Sequence, residues 1–255
     1  MQVILWAALG LCAGSFANVV AYRLPRNISV VSPPSACRAC KGPIAFYDLL
    51  PVVSWLALRG RCRSCGVAIS PGYPIGEISC MIIFAGMMLF APVLSAVVLS
   101  LYGFILLVIT LVDWEYQVIP DGLLIIAGVI GAGWVVAGHF SPHITHAPGF
   151  YSAGLGILAG AAPLLVIDKL VQLFARKDGF GYGDVKLMAV AGLYLGASQV
   201  FAAFFFAFVT GGMYAAFLLV TGRARRGEYI AFGPFLCGGI IVALWAGNLF
   251  WNLFT

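Results

Sequence analysis

Residues 94–112 have the sequence LSAVVLSLYGFILLVITLV, an apolar stretch that contains no charged side chain. A helix of roughly 20 such residues spans the hydrocarbon core of a bilayer. Similar stretches recur along the chain, in which 62% of the residues are hydrophobic and only 9% are charged. A soluble domain of this size needs more polar side chains to cover its surface. The composition therefore predicts an all-α polytopic membrane protein.

The apolar stretches predict about eight transmembrane helices. Pro92 marks the turn between the second and third spans, and Gly196-Ala197-Ser198-Gln199 marks the turn between the sixth and seventh. The predicted spans are 2–22, 78–92, 94–112, 122–140, 152–168, 186–199, 200–221 and 233–253. We expect three regions: a first transmembrane helix at 1–22, a loop domain at 23–77 and a transmembrane core at 78–255.

Positive charge is confined to alternate connections between the predicted spans. Lys and Arg occur at 23–63, 169–186 and 223–226, and none occurs around 92, 141–151 or 198. Because short loops on the cytoplasmic side retain positive residues, we expect the basic segments in the cytoplasm and both termini outside. The net charge of +5 is then a signal of topology with some attraction to membrane lipid, and it predicts no nucleic-acid partner.

The long cytoplasmic loop contains two cysteine pairs, Cys37-x-x-Cys40 and Cys62-x-x-Cys65. Two such pairs predict a zinc site, because each turn supplies two thiolates and two turns complete a tetrahedral sulfur shell. Two disulfides or four free thiols are the alternatives, but the cytoplasm is reducing. Four ligands leave no open position, so we expect a structural Zn²⁺ that stabilises a small loop domain.

Two aspartates stand out at the ends of predicted spans, where ionisable groups are costly and therefore candidates for function. Asp113 ends the third span, and Asp184 opens the sixth span after two glycines that permit close packing. Both are expected at the cytoplasmic face, where two adjacent carboxyls would share one proton. One would then deprotonate a water while the other polarises a carbonyl. Helix capping, or pairing with Lys186 or 223–226, is the alternative.

Three further acids lie near span ends. Asp121 follows Pro120 at a helix start, which favours a capping role. Asp168 precedes Lys169, which suggests an anchor at the interface, and Glu77 opens the second span.

Six motifs in this order resemble the bacterial type IV prepilin peptidases that also N-methylate their products, and the resemblance covers nearly the whole chain. The motifs are Gly14-Ser15-Phe16-Ala17-Asn18-Val19 with Arg23-Leu24-Pro25; Cys37-x-x-Cys40; Pro51 with Ser54-Trp55 and Arg59-Gly60-Arg61-Cys62-x-x-Cys65; Ile69-Ser70 with Tyr73-Pro74 and Glu77; Asp113 with Ile119-Pro120-Asp121; and Gly181-Tyr182-Gly183-Asp184-Val185-Lys186.

The resemblance implies an intramembrane aspartyl protease of the GxGD type, with Asp113 and Asp184 as its catalytic pair. Its implied substrates are prepilins and pseudopilins, cut at the cytoplasmic face of the bacterial inner membrane. S-adenosylmethionine would then methylate the new N-terminus. Gly60 and Glu77 are the candidates for contacts with this methyl donor, and an ordinary turn role for Gly60 stays open.

Three other functions fit the sequence less well. A serine leader peptidase using Ser15 needs a lysine or histidine base nearby. The lysines are at 41, 169, 177 and 186, and the histidines, at 139, 143 and 146, are expected at the outer face. A transporter or channel with a zinc-binding regulatory loop would place polar groups near mid-membrane, whereas these acids cluster at one face. A structural scaffold leaves the paired aspartates unexplained. We expect Ser15 and Asn18 to bond between helices, with Gly14 permitting their close approach.

Overall fold

A computed structural model describes residues 1–141, 144, 146–175, 181–223 and 230–252. Within these ranges the chain is helical, and the β pairing consists of two isolated bridges. The all-α prediction is therefore confirmed. The helices are α1 (Gln2–Arg23), α2 (Val53–Ala57), α3 (Gly72–Phe90), α4 (Val93–Tyr116), α5 (Asp121–Phe140), α6 (Phe150–Ala175), α7 (Tyr182–Val220) and α8 (Gly233–Asn252). Predictions that concern His143, Lys177, residues 224–226 and the span end at 253 lie outside the described residues.

Six of the described helices are long and apolar enough to cross a membrane: α1, α3, α4, α5, α6 and α7. A shorter apolar stretch, Gly233–Gly247, forms most of α8. Pro92 caps the start of α4, two residues after α3 ends, as the sequence predicts. The chain is thus an integral membrane protein by the length and composition of its helices.

Helix α7 is interrupted at Gly196, which has φ 67° and ψ −179°. This conformation is open essentially to glycine alone. A Cβ atom at Gly196 would lie 2.5 Å from the hydroxyl oxygen of Ser152 in α6, so space also requires glycine here. The Ala197 N–H donates to that same hydroxyl at 3.3 Å. The interruption divides α7 into a first arm, 182–195, and a second arm, 197–220.

The two arms of α7 run in opposite directions. Asp184, in the first arm, lies within electrostatic reach of Asp113. A Cβ on Gly233, the first residue of α8, would touch the Asp113 carboxylate, and Gly211 in the second arm approaches Phe232 just before it. Both arms therefore reach the same end of the bundle, and the chain reverses at Gly196. The predicted turn between the sixth and seventh spans is confirmed, and about eight segments cross the bundle.

Helix α4 is the most deeply buried of the candidate spans and lies at the centre of the bundle. Its Tyr102 ring stacks on Tyr194 of α7, with ring centroids 3.7 Å apart. The Tyr194 hydroxyl donates to the carbonyl of Ala127 in α5 at 2.7 Å. These contacts fix three helices to one another in the middle of the bundle.

Helices α1 and α3 approach closely through small residues, as the sequence predicts. A Cβ at Gly14 would lie 2.6 Å from the Cα of Glu77. The Asn18 amide donates to the Tyr73 carbonyl at 3.1 Å. Such approach of glycine-bearing helices is typical of membrane interiors, where packing replaces the hydrophobic effect. Helix α3 begins at Gly72, earlier than the predicted span at 78, because Pro74 is tolerated in a first helical turn.

The connection between α1 and α3 is irregular. It contains α2 and two short 3₁₀ turns, Leu24–Arg26 and Phe46–Leu49. Its two isolated bridges, Ala36 with Pro43 and Arg61 with Ala68, each close one of the cysteine turns. Residues 27–71 thus form a loop held by local turns and by its contacts with the bundle.

Candidate active site and cysteine cluster

Asp113 and Asp184 come together at one end of the bundle, as predicted. Asp113 lies in the last turn of α4 and Asp184 in the first turn of α7, and each is only 5% exposed. The two carboxylates lie within electrostatic reach of each other. Two buried carboxyls this close cannot both carry a full charge, which favours a shared proton.

A left-handed residue ends the helix that carries Asp113. Gln117 has φ 55°, and its N–H donates to the Asp113 carbonyl at 2.9 Å, which closes α4. Pro120, itself in an extended conformation, then leads directly into α5. The α4–α5 connection therefore passes close to both carboxylates.

Two glycines shape the start of α7. A Cβ at Gly183 would lie 3.1 Å from the Cβ of Ile119, so glycine lets the first turn of α7 pack against the α4–α5 connection. The Asp184 N–H donates to the Gly181 carbonyl at 3.0 Å, and the Gly181 N–H faces the Asp184 carboxylate. The Gly-x-Gly-Asp pattern therefore serves close packing and orients the acid.

Gly233 is a site residue that the sequence analysis missed. Its N–H donates to the Asp113 carboxylate, and a Cβ on it would lie 2.6 Å from one carboxylate oxygen. Any larger residue would push against the acid. The available signal was Phe232-Gly233-Pro234 at the start of the last apolar stretch, because a proline in a first turn marks a helix start.

The two carboxylates border a cavity of about 220 Å³. It has space for several water molecules at about 30 Å³ each. The ionised carboxylate of such a pair can deprotonate a water that lies between the two groups. The protonated acid can polarise the carbonyl that this water attacks. The cavity is lined by Asp113, Gln117, Val118, Ile119, Asp121, Gly181, Gly183, Asp184 and Phe232.

Asp121, on the rim of this cavity, forms an ion pair rather than the expected cap. Lys186 donates to its two carboxylate oxygens at 2.8 and 3.0 Å. This pairing is the other role that the sequence left open for the acids. It ties the start of α5 to the first arm of α7.

Two other acids are buried within helices. Asp168 is 4% exposed and accepts a hydrogen bond from Gln172 at 2.9 Å, so it packs inside the bundle beside the exposed Lys169, and its role as an interfacial anchor stays a prediction. Glu77 accepts from the Val52 N–H at 2.7 Å and from the Ser15 hydroxyl. Ser15 thus bonds between helices, as expected, through Glu77.

The four loop cysteines converge, as predicted. The sulfur atoms of Cys37, Cys40, Cys62 and Cys65 all lie within 4.8 Å of one another, and those of Cys37 and Cys65 are 3.9 Å apart. Four sulfurs bound to one Zn²⁺ at about 2.3 Å lie roughly 3.8 Å apart. The cluster therefore fits a tetrahedral zinc ion.

Each cysteine pair is held by the same backbone turn. In the first, the Cys37 N–H donates to the Gly42 carbonyl; in the second, the Cys62 N–H donates to the Val67 carbonyl, both at 2.9 Å. The residue after each second cysteine has positive φ, 59° at Lys41 and 71° at Gly66. The geometry of each pair is thus local, and only the meeting of the two turns requires the rest of the loop.

The thiols of the cluster differ in their proton affinity. The N–H groups of Cys40 and Ala39 donate to Cys37 and lower its pKa to about 6. The Val67 N–H lowers the pKa of Cys65, but desolvation and hydrogen bonds with the other three thiols raise it to about 11 overall. Four thiolates so close together repel one another unless a cation lies between them.

The two residues proposed to contact a methyl donor act on opposite ends of one loop segment, Gly60 from within the loop and Glu77 from α3. Gly60 has φ 67° and packs beneath Trp55, whose ring would lie 2.9 Å from a Cβ at that position. Glu77 contacts Val52, at the start of α2. Both residues therefore shape the segment that contains α2. For Gly60, this contact is compatible with the turn role that the sequence left open.

Comparison with known proteins gives two family matches and many relatives. Residues 8–91 match the model of the Bacterial Peptidase A24 N-terminal domain, and residues 100–216 match that of the Type IV leader peptidase family. No solved structure matches.

Several relatives carry the name prepilin leader peptidase/N-methyltransferase. The Bacillus subtilis (strain 168) protein is 31% identical over 247 residues, covering 94% of this chain and 92% of its own. The Burkholderia pseudomallei (strain K96243) protein is 32% identical over 284 residues, covering 99% and 88%. The Klebsiella pneumoniae protein is 35% identical over 197 residues, covering 73% and 82%.

Proposed function

This chain belongs to the type IV leader peptidase family, an enzyme family, and we propose that it is an aspartyl endopeptidase that removes the leader peptides of prepilins and pseudopilins. The observation that carries the proposal is the pair of buried carboxylates, Asp113 and Asp184, at one cavity. A channel or transporter has no need for two acids that share a proton at one end of the bundle.

The chemistry follows from the shared proton. The ionised carboxylate of the pair takes a proton from a water in the cavity, and that water attacks the carbonyl carbon of the scissile peptide bond. The protonated partner donates to the carbonyl oxygen and stabilises the tetrahedral intermediate. Proton transfer to the nitrogen then breaks the C–N bond and releases a carboxyl end and a new amine. The N–H groups of Gly233 and Gly181 hold the two acids in place throughout.

The loop and the carboxylates are proposed to lie at the cytoplasmic face of the bacterial inner membrane. Arg26, just after α1, lies 3.6 Å from Glu115 in the last turn of α4, so the basic loop and Asp113 share one end of the bundle. Positive residues in short loops mark the cytoplasmic side. This placement supports cleavage on that side, with both termini outside.

The second proposed activity is methylation of the new N-terminus, which the names of the relatives suggest. S-adenosylmethionine would supply a methyl group to the amine. Gly60 and Glu77 stay predictions as contacts for this donor. Their contacts with Trp55 and Val52 support a role in holding the loop segment between them.

The cysteine cluster is proposed to hold one structural Zn²⁺. The donor set of four thiols and their mutual distances support this assignment. With all four positions filled by protein, the ion would organise the loop and leave the hydrolytic step to the carboxylates.

The experiment is a cleavage assay with the purified full chain in liposomes and a synthetic prepilin N-terminal segment. Mass spectrometry should show one cut at the junction between the leader and the apolar helix, and Asp113→Asn protein should give none. Uncut substrate with the wild-type chain, together with ion flux across the same liposomes, would favour the transporter or channel.

A further inference from the structure

The loop carries an exposed apolar surface that the proposed activities do not use. We call it the loop's apolar surface; its exposed side chains range from 43% to 83% accessible and are Phe46, Tyr47, Leu49, Leu50, Val53 and Leu56. They occupy one short segment made of the 3₁₀ turn at Phe46–Leu49 and helix α2. A contiguous set of large apolar side chains of this kind marks a contact with a membrane or a protein.

The depth of this segment relative to the bundle follows from one hydrogen bond. The Val52 N–H donates to Glu77, which also accepts from Ser15. Ser15 lies eight residues before Arg23, the end of α1, and Glu77 lies five residues after Gly72, the start of α3. At 1.5 Å per residue these positions are about 12 Å and about 8 Å inside the helix ends. The segment therefore folds back alongside two membrane-spanning helices.

The contact with Glu77 provides the hydrogen-bond acceptor that the Val52 N–H requires at this depth. A backbone N–H that is shielded from water is unfavourable if it has no acceptor. Val52 is not in a helix that could satisfy its N–H internally, because it precedes α2. Its φ of 61° is also rare for a β-branched residue, and such strain persists only where the surroundings hold it. Glu77 accepts the hydrogen bond from the Val52 N–H and so also holds Val52 in this backbone conformation.

The other side of the segment is already occupied by the loop itself. The Trp55 indole donates to the Ile69 carbonyl at 3.2 Å. Arg63 bonds both carboxylate oxygens of Asp48, at 2.7 and 2.8 Å, and its guanidinium lowers the pKa of that acid. These contacts fix which side chains point away from the loop. The apolar surface is therefore the outer face of an ordered segment.

Two cations follow α2 directly. Arg59 and Arg61 are both exposed. A short apolar face followed by arginines is the composition of segments that lie in the headgroup region, where the apolar side chains enter the acyl boundary and the cations meet anionic lipid. The same end of α3 exposes Ile75 at 61%, so apolar surface is present on the neighbouring spanning helix as well.

We propose that residues 46–56 form an interfacial element whose apolar surface is covered by bilayer lipid, with Arg59 and Arg61 at the anionic headgroups. Glu77 anchors this element to the bundle through the Val52 N–H. The loop is then seated in the membrane surface, and its cysteine cluster is held near the bilayer. Lipid contact at this surface does not depend on the proposed peptidase activity.

The test places the photoreactive residue p-benzoylphenylalanine at Phe46 or at Leu56 in the full chain. The protein is reconstituted in vesicles of phosphatidylethanolamine and phosphatidylglycerol, irradiated and analysed for lipid adducts by mass spectrometry. Ile82, 49% exposed in the middle of α3, is the lipid-facing control, and Val67, 43% exposed in the second cysteine turn, is the matched loop control. We expect adduct yields at Phe46 and Leu56 comparable to Ile82 and several-fold above Val67.

Three results would overturn the proposal. Lipid adducts at Ile82 without adducts at Phe46 and Leu56 would show that the surface faces water. Equal yields at Val67 would show that the whole loop is merely close to the bilayer. If a prepilin N-terminal segment, added to the vesicles, captured these positions in place of lipid, the surface would be a substrate-docking site and the lipid assignment would be wrong.

The anchoring role of Glu77 is tested with a conservative pair of variants. Glu77→Gln keeps an oxygen that accepts the Val52 N–H, so lipid adducts at Phe46 should persist. Glu77→Leu removes the acceptor and should lower the adduct yield several-fold while that at Ile82 is retained. Equal Phe46 yields in the two variants would show that Glu77 does not set the depth of the segment.

Discussion

The carboxylate cavity and the cysteine cluster, the two candidate sites of this chain, are built by different means. Asp113 and Asp184 lie 71 positions apart, and their meeting depends on the packing of α4, α7 and α8 around a buried core. Each cysteine pair is shaped by its own short turn, and the cluster joins two such turns in a loop with largely exposed side chains. A change at the cavity is therefore expected to act on catalysis directly, whereas a change at the cluster is expected to act through the position of the loop.

A chain of stacked side chains offers a route between the two regions. Arg38, inside the first cysteine pair, lies over the Tyr22 ring at 3.8 Å, and Arg26 lies over the same ring at 3.9 Å. Arg26 also lies 5.2 Å from the Tyr116 ring and 3.6 Å from Glu115. Tyr116 ends the helix that carries the first carboxylate. Loosening the cluster should therefore disturb the cavity, but weakly.

The largest expected effect is at the carboxylates. Asp113→Asn or Asp184→Asn should lower the cleavage rate by on the order of 10³-fold or more, because the amide keeps the packing but removes the shared proton. Membrane insertion and the far-ultraviolet circular dichroism should stay those of the wild type. The measurement is the initial cleavage rate of a prepilin segment in liposomes. Near-normal cleavage by either variant would remove that residue from the mechanism.

The variant Gly233→Ala tests whether the geometry of the cavity depends on packing between distant segments. The added methyl would lie 2.6 Å from an Asp113 oxygen and would displace the acid. Displacement of a catalytic group by about 1 Å costs on the order of 10²-fold in rate. Gly238→Ala, in the same helix with open space around its Cβ position, is the matched control and should cleave normally. Equal rates in the two variants would show that Gly233 does not position Asp113.

Most of the fold was predictable because its signals are local. Apolar stretches, Pro92 and Gly196 mark the helices and their turns, and the Cys-x-x-Cys spacing fixes each cysteine turn without reference to the rest of the chain. The pairing of Asp113 with Asp184 was predictable because Asp113 ends one apolar stretch, Asp184 begins another, and the charge pattern predicts both at the same face.

The missed features depend on contacts between distant segments. Gly233 acquires its role only when the start of α8 meets the end of α4, and the sequence offers no charge or spacing that links it to Asp113. Asp121 and Lys186 are 65 positions apart, so their pairing could not be read from the local pattern of Pro120 and a helix start, which favoured a capping role. The apolar loop segment went unnoticed because it is too short to resemble a membrane span.

A smaller effect is expected at the cysteine cluster. We expect one zinc per chain, and Cys62→Ser should lose it and loosen residues 36–66, because a loop with little core depends on the metal for its folding. Cleavage should fall only several-fold, and methylation should fall further. Cys12→Ser, which changes an exposed cysteine of α1, is the control.

Three measurements decide the cluster prediction. Elemental analysis gives the metal content, limited proteolysis gives the order of the loop, and parallel assays compare cleavage with methylation. Metal-free protein with full activity would rule out the zinc assignment. Equal loss of both activities in Cys62→Ser would argue against a methylation role specific to the loop.

The smallest effect is expected for the ion pair on the rim of the cavity. The Asp121 and Lys186 side chains are 62% and 52% exposed, and an exposed pair contributes at most about 1 kcal/mol, or roughly fivefold in an equilibrium or rate. Asp121→Asn and Lys186→Gln should therefore each reduce cleavage by no more than about fivefold, and the double variant should be little worse than either, since both remove one interaction. High salt screens the ion pair and should therefore lower the cleavage rate of the wild-type protein towards that of the variants. Cleavage by Asp121→Asn as low as that of Asp184→Asn would show that Asp121, rather than Asp113, is the first acid of the catalytic pair.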